Sequence, residues 1–451
     1  MKPKSLIPYL LLFGLLPLAQ SKAQERPLAA YVQQGLTENL IVAQKNLSLQ
    51  KSMNALEVAK SLYLPSVSFD MLYSTANGGR SIDLPVGDLI NPVYQTLNQL
   101  TQSQNFPQIE NEKIRFLPRN YYDAKLRTSM PLINTDIKHN KTMQDQLVQM
   151  SEAEVIIYKR ELVKEIKSAY YTYLSVLESI KIYESSLLLA KEGKRVNEKL
   201  LAAGKGLPAY VLRSNAEIAD VEAKLTEAKQ KSKNAQFYFN ALLNRDEDSP
   251  IRVEEDSKVP ATDEKLLNNS SDEREELKSL AMHIQLQETM EKMYKQVYLP
   301  KLSGFVDLGS QAEGMRVNKN SAYYMVGLQL SFPIFSANKN KLKIEESKIA
   351  VSQAQNSLAQ AKQQLSLAVH VAENDVLSSM KSYESAKVQL EAAASYQRLI
   401  QRGFSEGSNS YIETVDARSQ YTNAQLAYNI AGYKVLLAAA KLERETSSYP
   451  L

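Results

Sequence analysis

The sequence predicts a mainly α-helical chain with a smaller β part, built as two structural repeats, each a β-hairpin joined to a long antiparallel helical hairpin. Three observations carry that prediction. Tyr121-Tyr122 through Met130-Pro131 reappears as Tyr323-Tyr324 through Phe332-Pro333, an offset of 202 residues (333 − 131), while Gly206, Tyr210 and Ala216 recur as Gly407, Tyr411 and Ala417 at 201 (407 − 206). So long a unit is no solenoid repeat, and the copies read as halves of one body. Residues 135–203 hold no proline and one glycine, Gly193, and residues 338–402 hold neither. At 1.5 Å per residue the first of these would reach about 100 Å as a helix. Four shorter stretches alternate apolar and polar residues with period two.

In chain order, Lys2 and Lys4 followed by the apolar run Leu6–Leu18 and Ser21-Lys-Ala23 read as a signal peptide over residues 1–23. The apolar run is shorter than the roughly 20 residues a membrane-spanning helix needs. The first repeat is read over 24–245. It opens with a helix from Pro27 to about Leu62, which Pro65 ends because the residue before a proline is pushed out of the α region. Strands follow at about 66–74 and 121–130, separated by a loop rich in Asn, Gln, Gly and Pro. The helix over 135–203 ends at Gly204-Lys-Gly206-Leu207-Pro208, and a second helix returns from Ala209. Residues 246–271, acidic and carrying Pro250 and Pro260, read as a connector. The second repeat, 272–451, predicts a helix to Val297, strands at about 302–310 and 323–332, a long helix over 338–402, a break at Gly403 and Gly407, and a last helix from Ser410 to Glu445.

Composition narrows the function classes. The chain carries 54 basic and 50 acidic residues, a net +4. Loss of Lys2, Lys4 and Lys22 with the signal leaves +1 (51 − 50), which is no nucleic-acid footprint. Without cysteine there is neither a disulfide nor a thiol-ligated metal, and export without disulfides points to a bacterial envelope. His139, His283 and His370 lie far apart in helical stretches with no metal or phosphate-binding motif, so neither an enzyme nor a cofactor is expected. The long helices are not membrane spans, since Glu161, Lys164, Glu165, Lys167, Glu178 and Lys181 fall within one of them.

The strands decide the class. One parity shows Val67, Phe69, Met71 and Tyr73, then Tyr122, Leu126 and Met130, and in the second half Leu302, Val306 and Leu308, then Tyr324, Val326, Leu328, Leu330 and Phe332. Asp70, Asp123, Lys125, Arg127, Lys301 and Asp307 all fall on the other parity, although Leu72 and Phe305 fall there too. A barrel wall facing lipid needs this arrangement, because Arg or Lys at mid-membrane on the lipid side costs about 2–4 kcal/mol. Tyrosines gather at the strand ends, as an aromatic girdle would. An amphipathic sheet on a soluble core has the same period. Four strands cannot close a barrel in lipid, so a membrane reading requires several copies.

On these residues the chain resembles the outer-membrane efflux protein (TolC-like) family. Each half shows a helix, Leu-Pro, a strand, a strand ending in proline, a very long helix, a glycine turn and a helix; Arg274-Glu275-Glu276-Leu277 is similar to the family's opening of its second half. The resemblance implies a homotrimer with a 12-stranded barrel in the bacterial outer membrane and an α-helical tunnel in the periplasm. Its partners would be a periplasmic adaptor, an inner-membrane pump or secretion ATPase, and outer-membrane lipid. Drug or other small-molecule efflux, protein secretion and metal efflux share this architecture. By the same resemblance, Gly206, Leu207, Gly407 and Ser408 are the tips that meet the adaptor, and Glu413 and Asp416 are the carboxylates lining the periplasmic gate. Phe404, Asn409 and Leu212 stand where the family's polar lock would be, which predicts a closed tip that relies more on coiled-coil packing and electrostatics than on ion pairs. The surplus loop in the first hairpin is expected to narrow the exit. The alternative from another class is a periplasmic coiled-coil adaptor or scaffold, which explains the helical hairpins but not four strands with one uncharged face.

Overall fold

A computed structural model describes residues 27–117, 119–253 and 274–451; the expected signal peptide and most of the expected connector lie outside them. The elements are α1 (Pro27–Glu38), α2 (Leu40–Ser61), β1 (Ser66–Ser74), β2 (Ser81–Leu84), α3 (Val86–Leu100), β3 (Glu112–Arg115), β4 (Tyr121–Ile133), α4 (Thr135–Ala202), α5 (Pro208–Leu242), α6 (Glu275–Lys295), β5 (Lys301–Ala312), β6 (Ala322–Ser331), α7 (Lys339–Ser405) and α8 (Tyr411–Glu445). The chain is mostly helical. The first helical stretch is two helices rather than one. Asn39 breaks it by capping α2, its Oδ1 accepting from Ile41 N at 2.9 Å and Val42 N at 3.2 Å.

These elements form two compact units. One comprises Ser48–Glu152 and Lys278–Ala359 and holds an antiparallel sheet in the order β1-β4-β5-β6. Its register sets Phe69 opposite Leu126, Leu126 opposite Leu308 and Leu308 opposite Tyr324, and likewise Val67, Thr128, Val306 and Val326 in one row. Directly opposed residues share a face, so the apolar parities of all four strands coincide. That face is open, with Tyr324, Val326 and Leu328 between 70% and 79% exposed. Among the described residues β1 pairs only with β4 and β6 only with β5, leaving two free edges.

On the other face Asp70 lies opposite Lys125, and Arg127 reaches Asp307 through two bonds of 2.7 and 2.6 Å. Phe305, the aromatic that broke the polar parity, has a place here. Its ring lies 5.0 Å from the Arg127 guanidinium and covers Gly327, where a Cβ would meet Phe305 Cζ at 2.5 Å. The loop between β1 and β4 folds on itself: β2 pairs with β3, and Asn91 on α3 makes two bonds to the backbone of Ile109, as Asn98 does to Phe106.

The other unit comprises the described residues of Met1–Leu47, Ala153–Leu277 and Gln360–Leu451. Its core is Leu162, Ile166 and Tyr170 of α4 against Val32 of α1 and Phe239 of α5, with Leu243 just beyond α5. Gly35 permits that approach, since a Cβ there would meet Ile166 Cδ1 at 2.3 Å. A smaller cluster, Ala372, Val376, Ala438 and Leu442, joins α7 to α8. Among the described residues no helix is long and apolar enough to cross a membrane.

Candidate functional site

The predicted tip residues fall on the turns that end the two long helices. Both turns are built alike. Gly204 takes φ +71°, Lys205 N donates to Leu200 O at 2.9 Å and Gly204 N to Leu201 O at 3.0 Å. Gly407 takes φ +80°, Ser408 N donates to Gly403 O at 2.8 Å and Gly407 N to Phe404 O at 3.1 Å. Each is a Schellman motif with glycine in the left-handed position. The conformational equivalent of Gly407 is therefore Gly204, not Gly206. Gly206 is constrained differently: a Cβ would lie 2.7 Å from Leu201 N. Leu207, 55% exposed, is the residue before α5, whose first position is Pro208. Ser408 is exposed and bonds Gly403 O at 3.0 Å.

Glu413 and Asp416 sit three residues apart in the first turns of α8 and are in different situations. Glu413 completes a capping box: its Oε2 accepts from Ser410 N at 2.7 Å, and Glu413 N donates to Ser410 Oγ. Asn409 Nδ2 adds a bond at 3.1 Å. The Ser410 backbone amide, then the Asn409 amide, hold the Glu413 carboxyl below its ordinary range. Asp416 is exposed and makes no ion pair or hydrogen bond among the described residues. Of the two, it carries the free carboxylate.

Close by is a polar cluster that sequence reading missed. Arg418 on α8 grips Glu217 on α5, Nε to Oε1 at 3.1 Å and Nη2 to Oε2 at 2.8 Å, with the side chains 8% and 13% exposed. Arg418 Nη2 also donates to the Tyr411 hydroxyl at 3.2 Å. Ser214 Oγ lies 2.9 Å from that hydroxyl and accepts from Asn197 Nδ2 of α4 at 3.0 Å. The ion pair thus joins the α4–α5 hairpin to α8. Gly193, the lone glycine of α4, makes the space: a Cβ there would lie 3.1 Å from both terminal nitrogens of Arg418. A glycine kept inside a helix at about 1 kcal/mol was the available signal.

An expected result follows. Gly193→Ala should forgo the stabilisation of about 1 kcal/mol that this change brings in an open helix, and Gly193→Leu should cost about 3 kcal/mol by displacing Arg418. Denaturant unfolding followed by circular dichroism measures both; a stabilised Gly193→Ala would contradict the packing account.

The profile of the outer membrane efflux protein family matches residues 266–446. A search among curated proteins finds no match. Among solved structures, the outer-membrane channel OprN is similar at 17% identity and a TM-score of 0.75, covering 94% of this chain and 90% of that one. The Campylobacter jejuni outer membrane channel CmeC is similar at 15% identity and 0.73, covering 93% and 85%. The outer membrane protein VceC of Vibrio cholerae is similar at 13% identity and 0.74, covering 93% and 95%. OprN and CmeC are outer-membrane channels and VceC is an outer membrane protein. The resemblance read from the residues therefore holds: the second half of the chain matches the outer membrane efflux protein family, and the described chain has the fold of outer-membrane channels.

Proposed function

We propose that the chain is one subunit of a homotrimeric outer-membrane channel of a tripartite export system, passively conducting small molecules delivered by an inner-membrane pump through a periplasmic adaptor. The observation that carries this reading is the β1-β4-β5-β6 sheet, apolar and exposed on one face and, among the described residues, unpaired at both edges. Open edges are not tolerated in lipid, so the sheet must continue into other copies, and three would close a 12-stranded barrel. A second feature fits. On α7, Leu377, Val388 and Leu399 recur every 11 residues, are 51–65% exposed, and mark a helix face suited to pack on a neighbouring subunit.

Membrane fractionation and gel electrophoresis with and without boiling test the reading. A heat-dissociable trimer in the outer-membrane fraction is expected, reduced to monomer by Val388→Glu with Leu399→Glu; a freely soluble mature protein would sink it. The gate is assigned to Asp416, with Glu413 contributing chiefly to the cap. In planar bilayers Asp416→Asn is expected to reduce cation preference severalfold. Glu413→Gln is expected to have a smaller effect on selectivity than Asp416→Asn. Equal selectivity losses would show that both carboxylates line the constriction. The turns at Gly206-Leu207 and Gly407-Ser408 are assigned to the adaptor, and cross-linking from Leu207→Cys to that partner is the matching assay.

A further inference from the structure

The register brings one end of each strand to the same end of the sheet: β1 begins at Ser66 opposite Ser129, β5 begins at Lys301 opposite Ser331, and Ile133 of β4 is paired with Leu302. At that end β4 exposes Leu132 and Ile133, and immediately beyond it the chain exposes Leu64, Leu299, Ile334 and Phe335, the last two at 84%. The helices that leave from the same end carry lysines in their nearest turns. Lys138 and Lys141 of α4, Lys292 of α6, and Lys339 and Lys341 of α7 are all exposed and make no ion pair among the described residues. Three of the carboxylates in those turns are occupied, Asp136 by Lys301, Glu291 by Lys295 and Glu346 by Lys343, leaving Glu288 and Glu345 without a partner there among the described residues.

The opposite end of the sheet also carries exposed cations without an ion pair among the described residues, Arg80, Arg115, Arg119, Arg316 and Lys319, within a nearly balanced total. Residues 75–120 and 313–321 together hold six cations and five carboxylates. An exposed apolar rim with unpaired lysines just outside it is complementary to a bilayer edge, the rim to the acyl boundary and the ammonium groups to phosphate.

Resting on the membrane reading above, we propose that this collar binds the headgroups of anionic phospholipids in the leaflet next to the helical part, so that the channel gathers anionic lipid around itself. The amines act as point charges on flexible stems, so they recognise charge at the headgroup level rather than one headgroup shape.

The test uses the full mature protein in vesicles of phosphatidylcholine containing one part in five phosphatidylglycerol. Lipid extracted with the protein in polymer-bounded discs is quantified by mass spectrometry. Phosphatidylglycerol is expected to be enriched about threefold over the bulk at low salt and to return toward bulk in molar sodium chloride. The combined variant Lys138→Gln, Lys141→Gln, Lys292→Gln, Lys339→Gln, Lys341→Gln should lose the enrichment, and the same five positions changed to Arg should keep it. Wild type at the bulk ratio, enrichment indifferent to salt, or a glutamine variant that still enriches would each overturn the collar while leaving the channel reading intact. Should the glutamine variant not assemble, the salt response of wild type decides. Failure of wild type to enter either this vesicle or pure phosphatidylcholine would instead overturn the membrane reading and the collar with it.

Discussion

Removing either partner of the Glu217–Arg418 pair is expected to destabilise the helical unit by about 3–5 kcal/mol, whereas Glu217→Leu combined with Arg418→Met should stay within about 2 kcal/mol of wild type. The asymmetry arises from desolvation. Both side chains are nearly buried, at 13% and 8% exposure, so each has already given up most of its water. Together they recover that loss through a bidentate pair and the Tyr411 hydroxyl. A single substitution leaves one buried charge without its counterion, but replacing both by apolar groups of similar size removes the desolvation along with the attraction. Tyr411→Phe should cost less, about 1 kcal/mol, since it deletes a hydroxyl and not a charge. Denaturant unfolding of the detergent-solubilised protein separates these cases. Single variants within 1 kcal/mol of wild type would mean that water reaches the pair and that it is an ordinary surface contact.

That pair also shows what could be read from the sequence and what could not. Strand faces were legible because period two is a local property: Asp70, Lys125, Arg127 and Asp307 announce their side by parity, and the register agrees. Long helices were legible from uninterrupted runs without proline. The Asn39 break was harder, because apolar spacing continues across it, although a cap residue before Leu40-Ile41-Val42 is the signature of a helix start. Glu217 and Arg418 lie 201 residues apart, the same separation as Tyr210 and Tyr411, whose rings stand 5.6 Å apart. The separation first met as sequence likeness is thus also a spatial contact. Opposite charges at that offset were visible in the chain, but only packing makes them a pair. The identity of the equivalent glycines needed backbone angles, because Gly204 and Gly206 are alike as letters and only one occupies the left-handed region.

The second large effect concerns acid. Glu276, in the first turn of α6, accepts from Arg274 Nη2 at 2.8 Å and Arg444 Nη2 at 2.7 Å, while Arg274 also reaches Glu445 at 2.5 Å and Arg444 reaches Glu161 at 3.1 Å. Burial by itself would raise the Glu276 carboxyl. The two guanidinium bonds outweigh it and hold the group at about 2. An unfolded glutamate titrates near about 4.3, so the folded state favours the ionised form. A depressed carboxyl contributes its full stability above the unfolded value and loses it as pH falls toward the folded one. The contribution is about 3 kcal/mol, present at pH 7 and fading between about pH 4 and pH 2. Glu276→Gln should therefore be less stable by about that amount at neutral pH, with the gap to wild type closing as the solution is acidified. Arg274→Met should narrow the gap as well, because it raises the carboxyl of the wild-type glutamate. Unfolding midpoints at pH 7, 5, 3 and 2 decide it. A wild-type to Glu276→Gln difference that stays constant across that range would show that Glu276 is held by shape rather than by charge, and the arginines around it would then need another account.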